Sequence, residues 1–250
     1  MRYRSVAFIP ARSGSKRVPD KNIKLLGDHP LIAYSIVSAL ESSVFDSVIC
    51  ATDSAQYAEI AKYYGAEVPF LRPDGVSGDK SPDCDWVAWM LNELKKIGLE
   101  FKIFSILRPT SPFRLPSTIS RAWDQFIEEK DIDSLRAVQK CKQHPGKMWI
   151  VDGKRMVPIL PYKNGSVPWH SSQYTALPEI FIQDASLEIS WVRNILDGNS
   201  IAGRVISPFL TKDYEGFDIN NEEDFLLAQT YLSKGKSVLP KINLPPPPSR

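Results

Sequence analysis

The chain places four cations within ten residues, soon after a short apolar run at 6–9. They are Arg12, Lys16, Arg17 and Lys21. Gly14 lies between them and permits unusual backbone angles, so that neighbouring N–H groups could converge on an anion. This combination indicates a site for phosphate groups, although neither a Walker A loop nor a G-x-G-x-x-G fingerprint is present. The alternative is a solvated basic loop that binds no ligand.

The charge of the whole chain favours a compact site over a broad one. The 250 residues carry a formal net charge of +2, from 31 Lys and Arg against 29 Asp and Glu. Residues 1–24 hold seven of those cations and only one of the acids, so the rest of the chain is slightly acidic. A surface that binds nucleic acid needs an extended basic stripe. We therefore expect a small anionic ligand and no nucleic acid.

The composition is typical of a globular protein, with 43% hydrophobic and 24% charged residues. No run approaches the roughly 18 apolar residues of a membrane helix. The first apolar run is also too short for the core of a signal peptide. The three cysteines, Cys50, Cys84 and Cys141, form no C-x-x-C pair. We expect neither disulfides nor a zinc site, and a cytoplasmic protein that does not contact membranes.

The first half of the chain alternates between strand and helix patterns, and these elements must position the basic loop. We expect strands at 6–9, 48–51, 68–71 and 103–107, and helices at 31–39, 54–64, 86–94 and 116–129. Pro69 weakens the strand at 68–71. Repeated strand–helix units predict an α/β fold with a mainly parallel sheet and helices on both faces. Ligands bind such sheets beyond the carboxyl ends of the strands, where the basic loop begins.

The pattern changes after about residue 134. A hairpin with an Asp152-Gly153 turn is expected at 148–157. Further strands are expected at 180–182, 187–192 and 205–206, and a helix at 221–231 with acids in its first turn. Residues 234–250 include four consecutive prolines and predict an extended or disordered C-terminal tail.

The basic loop is part of a longer motif, Ile9 to Asn22, of the form I-x-A-R-x-x-S-K-x-x-x-x-K-N. This motif resembles the signature of the acylneuraminate cytidylyltransferases, the CMP-sugar-acid synthetases. The resemblance continues, in the family's order, at Thr52-Asp53, Leu71-Arg72-Pro73 with Ser77 and Asp79, Pro109-Thr110-Ser111-Pro112-Phe113-Arg114, His144-Pro145, Asp218-Ile219-Asn220 and Glu223-Asp224-Phe225. It covers about residues 5–230.

The resemblance implies a nucleotidyltransferase with a Rossmann-like three-layer core over residues 1–233. A small β-containing excursion at 139–180 would form a homodimer. The anomeric hydroxyl of a 2-keto-3-deoxy sugar acid would attack the α-phosphate of CTP, and pyrophosphate would leave with the help of Mg2+. Cations suit this chemistry because in-line displacement at phosphorus requires neutralisation of the leaving group.

The resemblance also assigns individual residues. Those expected to bind the nucleotide are Arg12, Ser15, Lys16, Lys21, Asn22 and Arg72, with Arg12, Lys16 and Lys21 the catalytic cations. Beyond what the resemblance assigns, we expect the acceptor to be bound by Arg108, Thr110, Ser111 and Gln183. The expected metal ligands are Asp218 and Asn220.

Departures from the family pattern concern the acceptor and the metal. Arg108 stands where the family has Gln, Ile182 where the sialic acid enzymes have an acceptor-binding Arg, and Glu188 where they have Tyr. Asn220 replaces one acid of the metal motif and keeps an oxygen ligand without the charge. We expect an acceptor other than plain N-acetylneuraminate. Arg108 would bind the carboxylate of a different nonulosonic acid or, equally, the phosphate of a sugar-1-phosphate.

Other interpretations remain open at this stage. The chain could be a sugar-1-phosphate nucleotidyltransferase that uses another nucleoside triphosphate, a non-catalytic nucleotide-binding relative, or a glycosyltransferase. Asp79, Asp83 and Asp85 could form a second metal site or begin a helix. The aromatic residues Trp149, Trp169 and Tyr174 could be dimer contacts or could pack within their own core.

Overall fold

The computed structural model describes residues 3–78, 81–161 and 167–247. Asp79, part of the expected excursion and the last three residues of the tail lie outside the described residues. The helices are α1 Leu31–Glu41, α2 Ala55–Tyr63, α3 Asp83–Lys96, α4 Pro116–Glu128, α5 Val192–Leu196 and α6 Glu222–Ser233. The strands are β1 Ser5–Pro10, β2 Leu25–Leu26, β3 His29–Pro30, β4 Ser47–Ala51, β5 Ile103–Ile106, β6 Ser134–Lys140, β7 Trp149–Asp152, β8 Arg155–Pro158, β9 Phe181–Trp191 and β10 Ile206–Leu210.

The main sheet has six strands within the described residues, in the order β10-β6-β9-β5-β1-β4. The central strand β1 pairs in parallel with β4 on one side and β5 on the other. The next strand, β9, runs antiparallel to β5. The α/β fold with a mainly parallel sheet, predicted from the alternating patterns, is confirmed.

Helices cover both faces of this sheet because its central strands are apolar on both sides. On one face, Ala7 and Ile9 of β1 belong to a core with residues of α1, α2 and α4. On the other face, Val6 and Phe8 of the same strand belong to a core with residues of α3 and α5. This alternation along one strand produces the three-layer arrangement. No helix in the described ranges is long and apolar enough to cross a membrane.

The chain divides into two compact units, Met1–Ala137 with Asp184–Arg250 and Val138–Gln183. The second unit contains the β7–β8 hairpin, which turns at Gly153 with φ of +59°. Within this unit His144 Nδ1 accepts a hydrogen bond from the Gly146 amide at 2.9 Å, and the His144 ring stacks on Trp169. A Cβ at Gly146 would lie 2.9 Å from Trp169 Cβ, so this close approach requires glycine.

The prediction of a strand at 68–71 is wrong. Only Glu67 bridges to β4, through hydrogen bonds with Val48 and Cys50. Pro69 follows and has no N–H to continue the ladder. The chain then returns to the end of β4, where the Arg72 amide donates to the Thr52 carbonyl at 2.8 Å.

Two further differences occur in the second half of the chain. β6 is a strand that the apolar pattern did not reveal, because its half-buried Arg136 pairs with the buried Glu188 at 3.0 Å. The strands expected at 180–182 and 187–192 are one continuous strand, β9. The polar residue Asp184 does not interrupt it, since its carboxylate accepts hydrogen bonds from Ser186 and Thr211.

The described part of the C-terminal tail is extended, as expected, but it packs on the core. Leu239 and Ile242 contact buried residues of the first unit, and Pro240 is itself buried. The Tyr63 hydroxyl donates to the Pro245 carbonyl at 2.9 Å. Isolated apolar residues among the prolines therefore attach the tail, although the composition suggested disorder.

We predict that Ile242→Ala lowers the free energy of unfolding by about 1–3 kcal/mol, because it removes packed methyl groups from two clusters. Urea denaturation would measure the change. Leu244→Ala is the matched control, since that side chain is exposed and its removal should change stability by less than about 0.5 kcal/mol. A loss below about 0.5 kcal/mol in Ile242→Ala would show that the tail does not stabilise the core.

Candidate active site

A cavity of about 300 Å3 opens at the carboxyl end of β1. Eight of the residues expected from the sequence to bind the nucleotide or the acceptor line it: Arg12, Ser15, Lys16, Lys21, Asn22, Arg72, Arg108 and Thr110. They come from the basic loop, from the segment beyond β4 and from the turn after β5. Parallel strands direct these three connections to the same edge of the sheet.

Six cations line this cavity, whereas Asp83 is the one acid among its described lining residues. Arg17 joins the five cations named above. Such an excess of positive charge in a concave site attracts and neutralises a small polyanion. The cavity wall also includes one aromatic ring, that of Trp86.

Hydrogen bonds fix the basic loop in place. The Asp53 carboxylate accepts from the Ser13 amide at 2.7 Å and from the Ser13 hydroxyl at 3.1 Å. The next residue, Gly14, has φ of +70°, a conformation that favours glycine. At the far end of the loop, the Tyr57 hydroxyl donates to Asp20 at 2.9 Å. The loop shape therefore depends on residues that lie beyond β4 and in α2.

Asn22 closes the loop upon itself. Its side chain is buried, and Nδ2 donates to the Arg12 carbonyl at 3.2 Å. This contact holds the two ends of the cation-bearing segment together. Asn22 thus has a structural task in addition to its place in the cavity wall.

Arg72 is buried behind the aromatic wall of the cavity. Its guanidinium lies 5.0 Å from the centre of the Trp86 ring, and Nη2 donates to the Val76 carbonyl. Nε is buried and has no hydrogen-bond partner among the described residues. Burial lowers the pKa of Arg72. The nearby acids Asp53 and Asp83 oppose this effect only in part, so the pKa stays below its ordinary value. A buried guanidinium with an unused donor is suited to a charged ligand.

Arg108 forms two ion pairs at the cavity wall. Nη2 donates to Asp83 at 2.8 Å and to Glu188 at 2.9 Å. Burial alone would raise the pKa of Asp83, but Arg108 and the Trp86 indole N–H hold it below its ordinary value. The sequence pointed to Asp83 as a metal ligand or a helix start and to Glu188 as a departure on the acceptor side. It predicted neither their contacts with Arg108 nor the place of Trp86 in the cavity wall. A local signal for the contact between Asp83 and Trp86 was their i, i+3 spacing, which brings the two side chains together on a helix.

Two of the expected acceptor residues do not line the cavity. Ser111 is fully buried, and its hydroxyl has no hydrogen-bond partner within the described chain. Gln183 is exposed and belongs to the second unit. Their roles in acceptor binding remain predictions.

The expected metal ligands lie beside Lys21. Asn220 Nδ2 donates to Asp218 Oδ2 at 2.7 Å, and Lys21 Nζ donates to the carbonyl of the intervening Ile219 at 2.8 Å. Asp218 Oδ1 is buried without a partner among the described residues. An unpaired carboxylate oxygen of this kind suits Mg2+, which prefers hard oxygen ligands and completes its shell with water and phosphate. Asp83 and Asp85 lie in the first turn of α3, and no cluster of three metal-binding side chains occurs in the described residues.

Comparison with known proteins identifies the family. The model of the cytidylyltransferase family matches residues 6–143, more than half of the chain. The chain belongs to the cytidylyltransferase family. The resemblance inferred from its motifs is thereby confirmed.

Individual cytidylyltransferases extend the comparison. The chain is 32% identical over 239 residues to the CMP-N,N'-diacetyllegionaminic acid synthase of Legionella pneumophila, covering 94% of this chain and 99% of that protein. It is 45% identical over 114 residues to the N-acylneuraminate cytidylyltransferase of Escherichia coli, covering 46% of this chain and 26% of that protein. The fold is similar to that of CMP:2-keto-3-deoxy-manno-octonic acid synthetase complexed with CTP, with a TM-score of 0.66 and 13% identity over 93% of this chain and 99% of that one.

We predict that Asp53→Asn weakens CTP binding by this cytidylyltransferase. The change removes a charge-assisted clamp on Ser13, and losses of this kind correspond to roughly 10–100-fold in affinity. The measurement is the KM for CTP at saturating acceptor. Asp197→Asn is the control, because that residue is exposed and borders a separate cavity lined by Tyr3 and Lys102, at the amino ends of β1 and β5. An unchanged KM in Asp53→Asn would show that the clamp does not shape the loop.

We further predict an alkaline limit to CTP binding that depends on Lys21. Burial, opposed by Asp218, lowers the pKa of Lys21 below its ordinary value. As the pH rises, Lys21 therefore loses its positive charge earlier than an exposed lysine, and kcat/KM for CTP should fall. Lys21→Arg should reduce kcat/KM roughly tenfold at neutral pH and move the alkaline fall to higher pH, since arginine stays protonated.

Lys24→Arg provides the comparison for that experiment. Lys24 pairs with Glu222 at 2.5 Å and is not among the cavity-lining residues. This variant should keep the pH profile of the unmodified protein. An identical alkaline fall in Lys21→Arg would exclude Lys21 as the titrating group.

Proposed function

We propose that the protein transfers CMP from CTP to a nonulosonic acid, a 2-keto-3-deoxy sugar acid related to sialic acid, and releases pyrophosphate. The observation that carries the proposal is the convergence of six cations on one cavity. Family membership supports the reaction type. The relative from Legionella pneumophila, which matches over nearly its whole length, is named for a CMP-nonulosonic acid product, and this supports the acceptor class.

The reaction would be an in-line displacement at phosphorus. The anomeric hydroxyl oxygen of the acceptor forms a bond to the α-phosphorus of CTP, the bond from that phosphorus to the bridging oxygen of pyrophosphate breaks, and the hydroxyl proton passes to solvent. Negative charge accumulates on the departing pyrophosphate. Catalysis therefore depends on donors that are already in position when the charge develops.

Arg12, Lys16 and Lys21 are the residues that would meet this charge. They lie in the loop whose shape is fixed by Asp53, Tyr57 and Asn22. Lys21 is additionally held by the Ile219 carbonyl. Donors fixed in this way need little rearrangement during the reaction, and each such donor contributes roughly 10²–10³-fold to the rate.

Asp218 and Asn220 would hold Mg2+ when it is bound. The unpaired oxygen of Asp218 would be a ligand, and the amide oxygen of Asn220 would be a second one, since the hydrogen bond to Asp218 uses only the amide nitrogen. The ion would neutralise phosphate charge and orient the phosphate oxygens. Its place beside Lys21 supports a shared role toward the same phosphates.

The acceptor would bind at the end of the cavity formed by Arg108 and Thr110. Arg108 and Asp83 both line the wall, and Arg108 donates to Asp83 and to the buried Glu188. We propose that its guanidinium pairs with the carboxylate of the sugar acid. The residue types at positions 108, 182 and 188 support an acceptor other than plain N-acetylneuraminate.

A second copy of the chain is the proposed partner of the β7–β8 hairpin. Ile150, Val151, Met156 and Val157 of this hairpin are all more than half exposed. A two-stranded sheet with apolar residues on the surface is marginally stable by itself and marks an interaction surface. We place the enzyme in the cytoplasm, a proposal supported by its free cysteines.

A panel of acceptors and nucleotides tests the proposal through release of pyrophosphate. We expect Mg2+-dependent turnover with CTP and a nonulosonic acid such as a legionaminic acid, and turnover with GTP or a sugar-1-phosphate at least 100-fold lower. N-acetylneuraminate should also be a poor acceptor. Efficient turnover of N-acetylneuraminate would contradict the acceptor assignment, and efficient turnover of a sugar-1-phosphate would contradict the reaction class.

A further inference from the structure

The wall of the cavity contains a chain of charged groups that extends into the protein interior. It begins at Asp83, continues through Arg108 and Glu188, and ends at Arg136. Glu188 is almost completely buried and receives a different guanidinium on each oxygen, Arg108 on Oε1 and Arg136 on Oε2. Two acids and two bases balance in charge, which allows the group to exist away from water.

Arg108 uses only one of its nitrogens in this chain. Nη2 donates to both Asp83 and Glu188, while Nη1 and Nε make no hydrogen bond to the described residues. Because Arg108 lines the cavity, these donors remain for a ligand. The contacts on Nη2 thus fix the direction of the guanidinium and leave Nε and Nη1 available to a ligand.

The backbone of Arg108 is held as firmly as its side chain. Its carbonyl accepts from Ser35 Oγ at 3.1 Å and from both terminal nitrogens of Arg114 at 3.3 Å. Arg114 is fully buried and also bonds Ser35 and the Ser186 carbonyl. With both ends fixed, the long side chain loses its rotational freedom before a ligand arrives.

We infer that Glu188 and Asp83 are positioning residues that set the acceptor specificity by holding Arg108 toward the carboxylate of the sugar acid. This inference rests on the proposed function. Glu188 does not line the cavity and acts through Arg108, whereas Asp83 also accepts from the Trp86 indole at 2.7 Å. Through Trp86, the same group also contacts Arg72, one of the residues proposed to bind the nucleotide.

A double-mutant cycle tests the inference. Glu188→Gln keeps the side-chain shape and removes the charge, so the KM for the sugar acid should rise roughly 10–100-fold. The KM for CTP should change less than twofold. In an Arg108→Gln background, Glu188→Gln should alter the acceptor KM less than twofold, since the group through which it acts is gone. An equal effect in both backgrounds would overturn the inference.

Two further variants separate positioning from a general loss of stability. Glu215→Gln breaks a comparable ion pair, with Arg121 at 2.7 Å, away from the cavity, and should leave the acceptor KM unchanged. Asp83→Asn changes a partly exposed carboxylate and should raise the acceptor KM even if Glu188→Gln fails to fold. A normal acceptor KM in Asp83→Asn would count against the inference.

Crystal structures of the unmodified and variant proteins give a readout that needs no acceptor. Arg108 should occupy one position in the unmodified protein and should move or become disordered in Glu188→Gln or Asp83→Asn. An unmoved Arg108 would refute the positioning role whatever the substrate is. If no sugar acid is turned over by the unmodified enzyme while Arg108 moves in the variants, the proposed function fails and the positioning role stands.

Discussion

Mutual repulsion among cations is the constraint on which the rest of this structure depends. Six positively charged side chains surround a cavity of about 300 Å3. Like charges gathered around so small a volume repel each other, and the repulsion is stronger where water is scarce. For three of these cations the protein counters the repulsion with fixed acceptors. Lys21 donates to the Ile219 carbonyl, Arg72 to the Val76 carbonyl, and Arg108 to two carboxylates. These three side chains are therefore held in position by the protein itself.

Several of these acceptors come from parts of the chain that are remote in sequence, which explains why the parallel sheet matters. Ile219 lies 198 residues beyond Lys21, and Glu188 lies 80 residues beyond Arg108. The sheet brings the parallel strands β1, β4 and β5 side by side, so that the connections after them share an edge. The antiparallel strand β9 pairs with β5 and places Glu188 opposite Ile106, the last residue of β5. Apolar residues on both sides of β1 then pack against the helices on the two faces of the sheet. The cores hold the acceptors in place, and the acceptors hold the cations.

The sequence allowed good prediction of features that depend on neighbouring residues. The basic loop, the helices and most strands are local patterns of spacing, and Asn221 and Asp224 form the expected start of α6 through a capping box. Features that depend on remote partners were not predictable in this way. β6 lacks a clear apolar period because Arg136 turns inward to Glu188, and a single sequence does not reveal that pairing. The attachment of the tail by Ile242 was not predictable for the same reason, since the residues that Ile242 contacts lie in two clusters far away in the sequence.

This difference also explains why the nucleotide side of the cavity is easier to interpret than the acceptor side. The phosphates of a nucleotide require only convergent donors, which a short loop with lysine, arginine and glycine supplies locally. A sugar acid must be distinguished from similar acids, and this requires a donor held in one direction by groups on several elements. In the proposed acceptor site, Arg108 would meet that requirement through α1, α3 and β9, which supply Ser35, Asp83 and Glu188. Under this proposal, acceptor specificity is a property of tertiary packing, whereas affinity for phosphate is largely a property of one segment.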